Sequence, residues 1–406
     1  MWERQWIRKA KSRLDARGLP LSVKFWDGSE YAPKVPSILT MTLCRRRALQ
    51  ALATPTLGRL AEAYVEGDID LIGNPRDIIE LGETLCDAAT APDRRGTAAL
   101  SWLRHTRPRD RSNISFHYDV SNDFFALWLD RRRVYSCAYF RQPGDTLEQA
   151  QEAKLDLICR KLLLRPGETL LDIGCGWGAL IFWAAEHYGV HATGITLSQQ
   201  QHDFVAAEIE RRGLGDRVAV HLLDYRDAPE ARPFDKVASV GMFEHVGQRQ
   251  LGEYFAKIWR LLKPGGLLLN HGITSADVGS VGLRSDVDDF VEKYVFPGGE
   301  LLHISRVLAE CSGAGLECVD VESLRPHYAR TLWHWVDRLE AGAAAARQLV
   351  GEKRYRVWRM YMAGAAHAFG RGWISVYQVL AGRPRLDGGL AYPFTREHLL
   401  PKPSNS

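Results

Sequence analysis

Nine residues, Leu170-Leu171-Asp172-Ile173-Gly174-Cys175-Gly176-Trp177-Gly178, constrain this chain more than any others. An apolar run ends in a turn with glycine at alternate positions, and a helical stretch follows. Glycine accepts tight turn angles and lets a ligand come close to the backbone. From Asn113 to about Ser323 the pattern alternates strand and helix, with strands expected at Thr169–Ile173, His191–Ile195, Val218–Leu223, Lys236–Val240 and Leu267–His271. That alternation predicts an α/β fold with a doubly wound, mostly parallel sheet. Such sheets take their ligand outside the carboxyl ends of the strands. The dinucleotide fingerprint is GxGxxG, whereas this chain has GxGxG followed by Ala179. After the second strand, where such folds often place an acid for a ribose, Thr196 to Gln201 offer hydroxyls and amides instead.

The remainder of the chain is organised around this core. At 406 residues, a prior of ~150 residues per domain suggests two or three domains. With 46% hydrophobic and 25% charged residues the composition is globular, which excludes disordered, collagen-like and coiled-coil proteins. No window offers the ~18 apolar residues of a membrane span. Met1 to Lys24 interleaves cations with apolar residues and lacks the apolar core of a secretory signal. The seven cysteines form no CxxC pair, so a reduced, cytoplasmic protein without structural disulfides is expected. Residues 1–113 hold 19 Lys/Arg against 14 Asp/Glu, while the remaining 293 residues carry about −1 net charge. This asymmetry suits an anionic surface, nucleic acid or acidic lipid, or simply a solvated face. Trp2, Trp6, Ile7, Ala10 and Leu14 share one side of a helix whose other side carries Arg4, Arg8, Lys11 and Arg17. That pattern suits a membrane interface, or two tryptophans docked on the domain behind them. A strand at Leu21–Trp26 with a turn at Asp27–Gly28, and helical or strand pieces at 37–52, 56–65 and 78–86, complete this region. Thr90 to Asn113 is rich in arginine with Pro92, Gly96 and Pro108, and marks the domain boundary. Tyr355, Trp358, Tyr361 and Met362, followed by Phe369, Trp373 and Tyr377, read as helices packed on the sheet, some lining an acyl channel.

The acid two residues before GxGxG resembles motif I of Rossmann-type S-adenosylmethionine methyltransferases. Further segments converge on one family: Phe116-His117-Tyr118-Asp119, Tyr135-Ser136-Cys137-Ala138-Tyr139-Phe140, Met242-Phe243-Glu244-His245-Val246-Gly247, Leu261 to Gly266, and Lys293-Tyr294-Val295-Phe296-Pro297-Gly298-Gly299. Together they resemble the cyclopropane-fatty-acyl-phospholipid synthase family and its mycolic acid methyltransferase relatives, over roughly Asn113 to Leu380. Leu57 to Gly67 resembles the small lipid-binding domain of the longer bacterial members. The resemblance implies a Rossmann-like S-adenosylmethionine methyltransferase domain over 113–400, a linker at 106–112, and a small N-terminal α+β lipid-binding domain over 1–105.

It also implies a reaction: methyl transfer from S-adenosylmethionine to a cis double bond of an acyl chain in phospholipid, then ring closure, with bound bicarbonate as base. The bicarbonate ligands would be Cys137, Glu244, His271, Ile273 through its backbone, and Tyr328. Cofactor contacts would be Tyr135, Ser136, Asp172, Gly174, Gly176, Gly178, Thr196, Leu197, Gln201, Tyr225 and Arg226. Tyr225-Arg226 departs from the Trp-Glu pair of the mycolic acid enzymes. Taken singly, Glu244 reads as a helix-start carboxylate, His271 as a strand-end histidine and Cys137 as a small buried hydrophobe; their joint appearance in the family's order favours the catalytic reading. An anionic bilayer surface is the expected partner, with peripheral membrane association, no nucleic acid and a homodimer by resemblance. Methyl transfer without ring closure needs the same cation and stays open, as does a non-catalytic lipid-binding protein on the same fold.

Overall fold

The computed structural model describes residues 2–86, 121–278 and 285–400. The linker expected at 106–112 and the Phe116–Asp119 motif lie outside the described residues. The chain divides into two compact units, one of Met1–Gly96, Leu283–Pro297 and Leu332–Ala368, the other of Thr97–Gly282, Gly298–Thr331 and Phe369–Ser406.

The first unit is α+β. Strands β1 (Leu21–Lys24), β2 (Glu30–Tyr31), β3 (Leu39–Leu43) and β4 (Ile69–Ile72) form a sheet in the order β2-β1-β3-β4. β1 runs parallel to β3, and the other pairs are antiparallel. Leu39, Met41 and Leu43 are buried while Thr40 and Thr42 are half-buried, the two-residue period of a strand with one covered face. The Asp27–Gly28 turn closes β1 on β2, with Gly28 at φ +81°. Helix Trp2–Arg17 buries Ile7 and Leu14. Its Lys11 donates to the Glu30 carbonyl at 2.7 Å and lies 5.5 Å above the Phe25 ring, so this cation is tied into the unit's own fold. Helix Leu57–Val65 starts at Thr56, whose side chain accepts from Arg59 N–H. A Cβ on Gly58 would stand 2.1 Å from the Asp286 carbonyl oxygen, so only glycine lets helix Ser285–Tyr294 approach there. Buried Arg359 grips both Glu340 oxygens, the Tyr64 hydroxyl and the Gly73 carbonyl, which satisfies a charge that burial alone would penalise.

The second unit is the α/β part. Its strands are β5 (Thr169–Ile173), β6 (His191–Thr196), β7 (Val218–Leu222), β8 (Phe234–Val240), β9 (Leu262–Ser275), β10 (Glu317–Ser323) and β11 (Ile374–Gly382). The sheet order is β10-β11-β9-β8-β5-β6-β7, and only β11 runs against its neighbours. Chain order reverses between β5 and β8, so their carboxyl ends frame the crevice where such sheets bind ligands. Apolar clusters cover both faces: Leu170, Leu180 and Ile181 on one, Leu171, Phe255 and Ile258 on the other. The helical reading of the C-terminal aromatics needs correction. Tyr355, Trp358, Tyr361 and Met362 do lie on helix Ala343–Arg371, but its residues to Ala368 belong to the first unit, not to the seven-stranded sheet. Tyr377 lies on β11, a largely buried strand rich in Ile and Val. No helix among the described residues is long and apolar enough to cross a membrane.

Candidate functional site

The glycine turn forms because β5 must reverse into helix Ala179–Tyr188 within a few residues. Gly174, Gly176 and Gly178 all have positive φ, at +81°, +55° and +82°. The N–H groups of Gly174 and Cys175 both donate to the Ile195 carbonyl, which ties the turn to the end of β6. The three glycines serve different ends. A Cβ on Gly178 would fall 2.8 Å from Phe182 of its own helix and 3.1 Å from Val205 of helix Gln199–Arg212, so glycine leaves room there for these two side chains. A Cβ on Gly176 would meet nothing within 4 Å, because that position faces an open cleft.

The cleft, together with the open solvent at its mouth, spans about 1200 Å³. Ten of the eleven expected cofactor residues line it, and Gly178 does not. Tyr135 and Ser136 enter from the loop before helix Leu147–Lys161. At the end of β6, Thr196 donates to the Gln201 side-chain carbonyl at 2.8 Å and accepts from Ser198 N–H, so this polar segment is held by its own hydrogen bonds. After β7, Arg226 grips Asp224 through Nε at 2.9 Å and a second guanidinium nitrogen at 2.6 Å. Beside it the Tyr225 ring meets Tyr254 edge-on at 5.4 Å.

Two cleft residues escaped the sequence reading. Asp224 could have been found as an acid just past the third parallel strand. Lys154 could have been found as a cation within the apolar stripe Leu147, Ala150, Leu155, Ile158 of its helix. It is 1% exposed and donates to Ser136 Oγ at 2.7 Å. Burial pushes its pKa down to about 8, and pushes the Asp172 carboxyl up to about 7 against the pull of the Lys154 charge.

Of the five expected base-site residues, Glu244 meets Ile273 on β9, His271 lies two residues before Ile273, and Cys137 and Tyr328 are linked to this strand through β11 and the Leu324 carbonyl. Glu244, on a short turn after β8, accepts from Ile273 N–H through Oε1 at 2.7 Å. Its Oε2 is buried without a hydrogen-bond partner. Burial pushes its pKa up to about 7, although the Ile273 N–H opposes the shift. His271 is 1% exposed and burial holds it well below the ordinary histidine value, hence neutral. Gln378, directly across the ladder on β11, donates to His271 Nδ1 at 3.2 Å. The single ring proton then belongs on Nε2, which is buried and without a hydrogen-bond partner. Ile273 pairs with Val376, whose carbonyl accepts from Leu324 N–H. The Leu324 carbonyl in turn accepts from Tyr328 N–H at 3.0 Å and Cys137 Sγ at 3.7 Å. The Tyr328 ring packs 4.6 Å from Phe369. Burial pushes the Cys137 thiol far up, so it stays a thiol that donates to carbonyls. One orphaned buried acceptor, Glu244 Oε2, and one orphaned buried donor, His271 Nε2, fit a small oxyacid that carries both kinds of group.

Lys293 and Tyr294, which open the Lys293–Gly299 segment, act elsewhere, pairing with Glu62 and Glu66 in the first unit.

Comparison with known proteins identifies the family and the fold. The sequence model of the mycolic acid cyclopropane synthetase family matches residues 105–379, and a model of a domain of unknown function matches residues 13–87. A Pseudomonas putida protein named "Probable fatty acid methyltransferase" is 44% identical over 95% of this chain and 98% of its own. Cyclopropane mycolic acid synthase 1 of Mycobacterium tuberculosis is 38% identical over 66% of this chain and 95% of its own. Among solved structures, the cyclopropane synthase MmaA2 of M. tuberculosis superposes with a TM-score of 0.64 at 36% identity, covering 67% of this chain and 98% of that one. Mycolic acid cyclopropane synthase CmaA1, solved with SAH and CTAB, gives 0.63 at 38% identity over the same shares. The chain therefore belongs to the mycolic acid cyclopropane synthetase family, and its second unit has the Rossmann-like fold of S-adenosylmethionine-dependent methyltransferases.

Proposed function

We propose that this protein transfers a methyl group from S-adenosylmethionine to the cis double bond of acyl chains in membrane phospholipids and closes the product to a cyclopropane. The observation that carries the reading is the adjacency of two sites on one sheet. A glycine-floored cleft lies at the carboxyl end of β5, the orphaned Glu244 Oε2 lies just past the neighbouring β8, and the orphaned His271 Nε2 lies on β9, the next strand. S-adenosylmethionine supplies an electrophilic methyl on a cationic sulfur, and bicarbonate supplies an oxygen base that is stronger where water is excluded.

The chain's own residues do the rest. Gly176 leaves room for the cofactor, Asp172 takes its ammonium, and Thr196 and Gln201 offer neutral hydrogen bonds to its ribose. Glu244 accepts and neutral His271 donates, which orients the base, and Tyr328 and Cys137 close the same patch. The Tyr328 and Phe369 rings offer aromatic faces to a cationic intermediate.

A second reading, methyl transfer without ring closure, is favoured by the full-length P. putida relative and its name. The two differ only in where the proton leaves. Glu244→Gln separates catalysis from binding: it is expected to retain S-adenosylmethionine in calorimetry and to lose turnover on unsaturated phospholipid vesicles. Near wild-type turnover by this variant, together with full activity in bicarbonate-depleted buffer, would remove the base assignment.

A further inference from the structure

Lys154 is used by nothing in this account, yet it is a fully buried cation that lines the cofactor cleft. Its one hydrogen bond within the described residues goes to a neutral hydroxyl, Ser136 Oγ. An ammonium has three N–H donors and is costly to bury without a counter-charge. No carboxylate stands within ion-pair distance of it among the described residues. Asp130 is near enough to be felt, but its oxygens accept from Val134 and Arg132 N–H groups at 2.8 and 2.9 Å. Asp172 also feels the Lys154 charge, and its Oδ1 is buried with no hydrogen-bond partner. Lys154 and Asp172 are thus a buried ammonium and a buried carboxyl of the cleft, neither joined to the other, whereas Asp224 and Arg226 in the same lining pair with each other.

A buried ammonium and an unpartnered buried carboxyl set apart in one cleft match a zwitterion, whose own ammonium favours the ionised form of Asp172. We propose that Lys154 is a cofactor-binding residue whose ammonium takes the carboxylate at the amino-acid end of the ligand, so that this end spans Lys154 and Asp172. The inference rests on the S-adenosylmethionine reading and adds to it the residue that recognises the carboxylate. Both orphan groups are satisfied at once, and the remaining donors of Lys154 find an anion. Ser136 then fixes the direction of the lysine. At neutral pH the lysine is charged, since its pKa of about 8 lies above 7.

The test is a binding cycle read by calorimetry on the full chain. Three probes share adenosine and the thioether: S-adenosylhomocysteine, its decarboxylated analogue, which keeps the ammonium, and 5′-methylthioadenosine, which lacks both charges. A charge-assisted hydrogen bond of about 1.5–3 kcal/mol corresponds to roughly 10- to 100-fold in affinity. The wild-type protein is expected to prefer S-adenosylhomocysteine over the decarboxylated analogue by at least about tenfold. Lys154→Met is expected to erase that preference while binding 5′-methylthioadenosine within about twofold of wild type, which also reports that it is folded. If Lys154→Met does not fold, Lys154→Gln replaces it, keeping a donor for Ser136 but no charge. A carboxylate preference that survives the loss of the charge would overturn the proposal, leaving Lys154 as a prop for Ser136. So would a wild-type protein indifferent to the carboxylate. A wild-type protein that binds none of the three probes would instead overturn the cofactor reading itself.

Discussion

Burial of Glu244 sets a testable cost on the folded state. Its carboxyl is pushed up to about 7 from an ordinary 4.5, so the folded protein holds this proton more tightly than the unfolded chain does. The sign follows: the contribution to stability is complete below about pH 4.5 and is lost as pH rises through about 7. At 1.36 kcal/mol per pH unit the loss is on the order of 3 kcal/mol. Glu244→Gln is therefore expected to flatten the fall in Tm between pH 5 and 8, and a variant that melts as steeply as wild type would contradict the assignment. The glycines divide in the same residue-by-residue way. Gly178→Ala meets Phe182 and Val205 and is expected to lower stability by about 1–3 kcal/mol with little direct effect on the cleft. Gly176→Val, at φ +55° but in open space, is expected to remove cofactor binding from a protein that still folds, as calorimetry beside a thermal melt would show. Most of the site was legible because its residues sit in short contiguous motifs. Lys154 and Gln378 were not, because each matters through a neighbour distant in sequence, Ser136 and His271, whereas Asp224, paired with Arg226 two residues on, was within reach as an acid just past β7.

The elements that carry the site were read unevenly. Five parallel strands announced themselves as apolar runs between helices. β10 did not, because Glu317 to Ser323 mixes acids with apolar residues, and β11 was hidden by aromatic spacing that continues from the preceding helix. Yet β11 supplies Gln378 and the backbone that joins Ile273 to Leu324. Gly272, between His271 and Ile273, shows how tightly β9 meets the Glu244 turn. A Cβ there would stand 1.9 Å from the Phe243 ring and 3.1 Å from Glu244 Oε1. Gly272→Ala is expected to displace that turn, lowering stability by about 1–3 kcal/mol and turnover at least tenfold while affinity for S-adenosylhomocysteine changes little. Loss of cofactor affinity instead would place the turn's main role in the cleft.

At the scale of the molecule, the two units draw on segments far apart in sequence, which no local pattern reveals. Leu332–Ala368 lies beyond most of the α/β strands yet joins the N-terminal segment, through contacts such as Arg359 with Tyr64. Docking on an anionic bilayer, as proposed, would draw on the basic excess of the first 113 residues, each cation near the surface being worth about 1 kcal/mol. The side chains of Trp2, Arg4 and Trp6 lie outside the described residues, while Arg8 is exposed and Lys11 serves the fold. Arg4→Glu with Arg8→Glu is expected to weaken binding to anionic vesicles and leave cofactor affinity unchanged, and binding indifferent to lipid charge and salt would exclude this helix as the docking element. As proposed, the cleft and the Glu244 patch together alkylate an acyl double bond. Purified protein, incubated with S-adenosylmethionine labelled in its methyl group and vesicles of a cis-unsaturated phospholipid, tests it directly. Mass spectrometry of the acyl chains should show the added mass of one labelled CH2 group with the double bond lost, and NMR should show cyclopropane protons. A branched methyl in their place would select transfer without ring closure. Acyl chains left unlabelled by a protein that demonstrably binds the cofactor and the vesicles would contradict the claim.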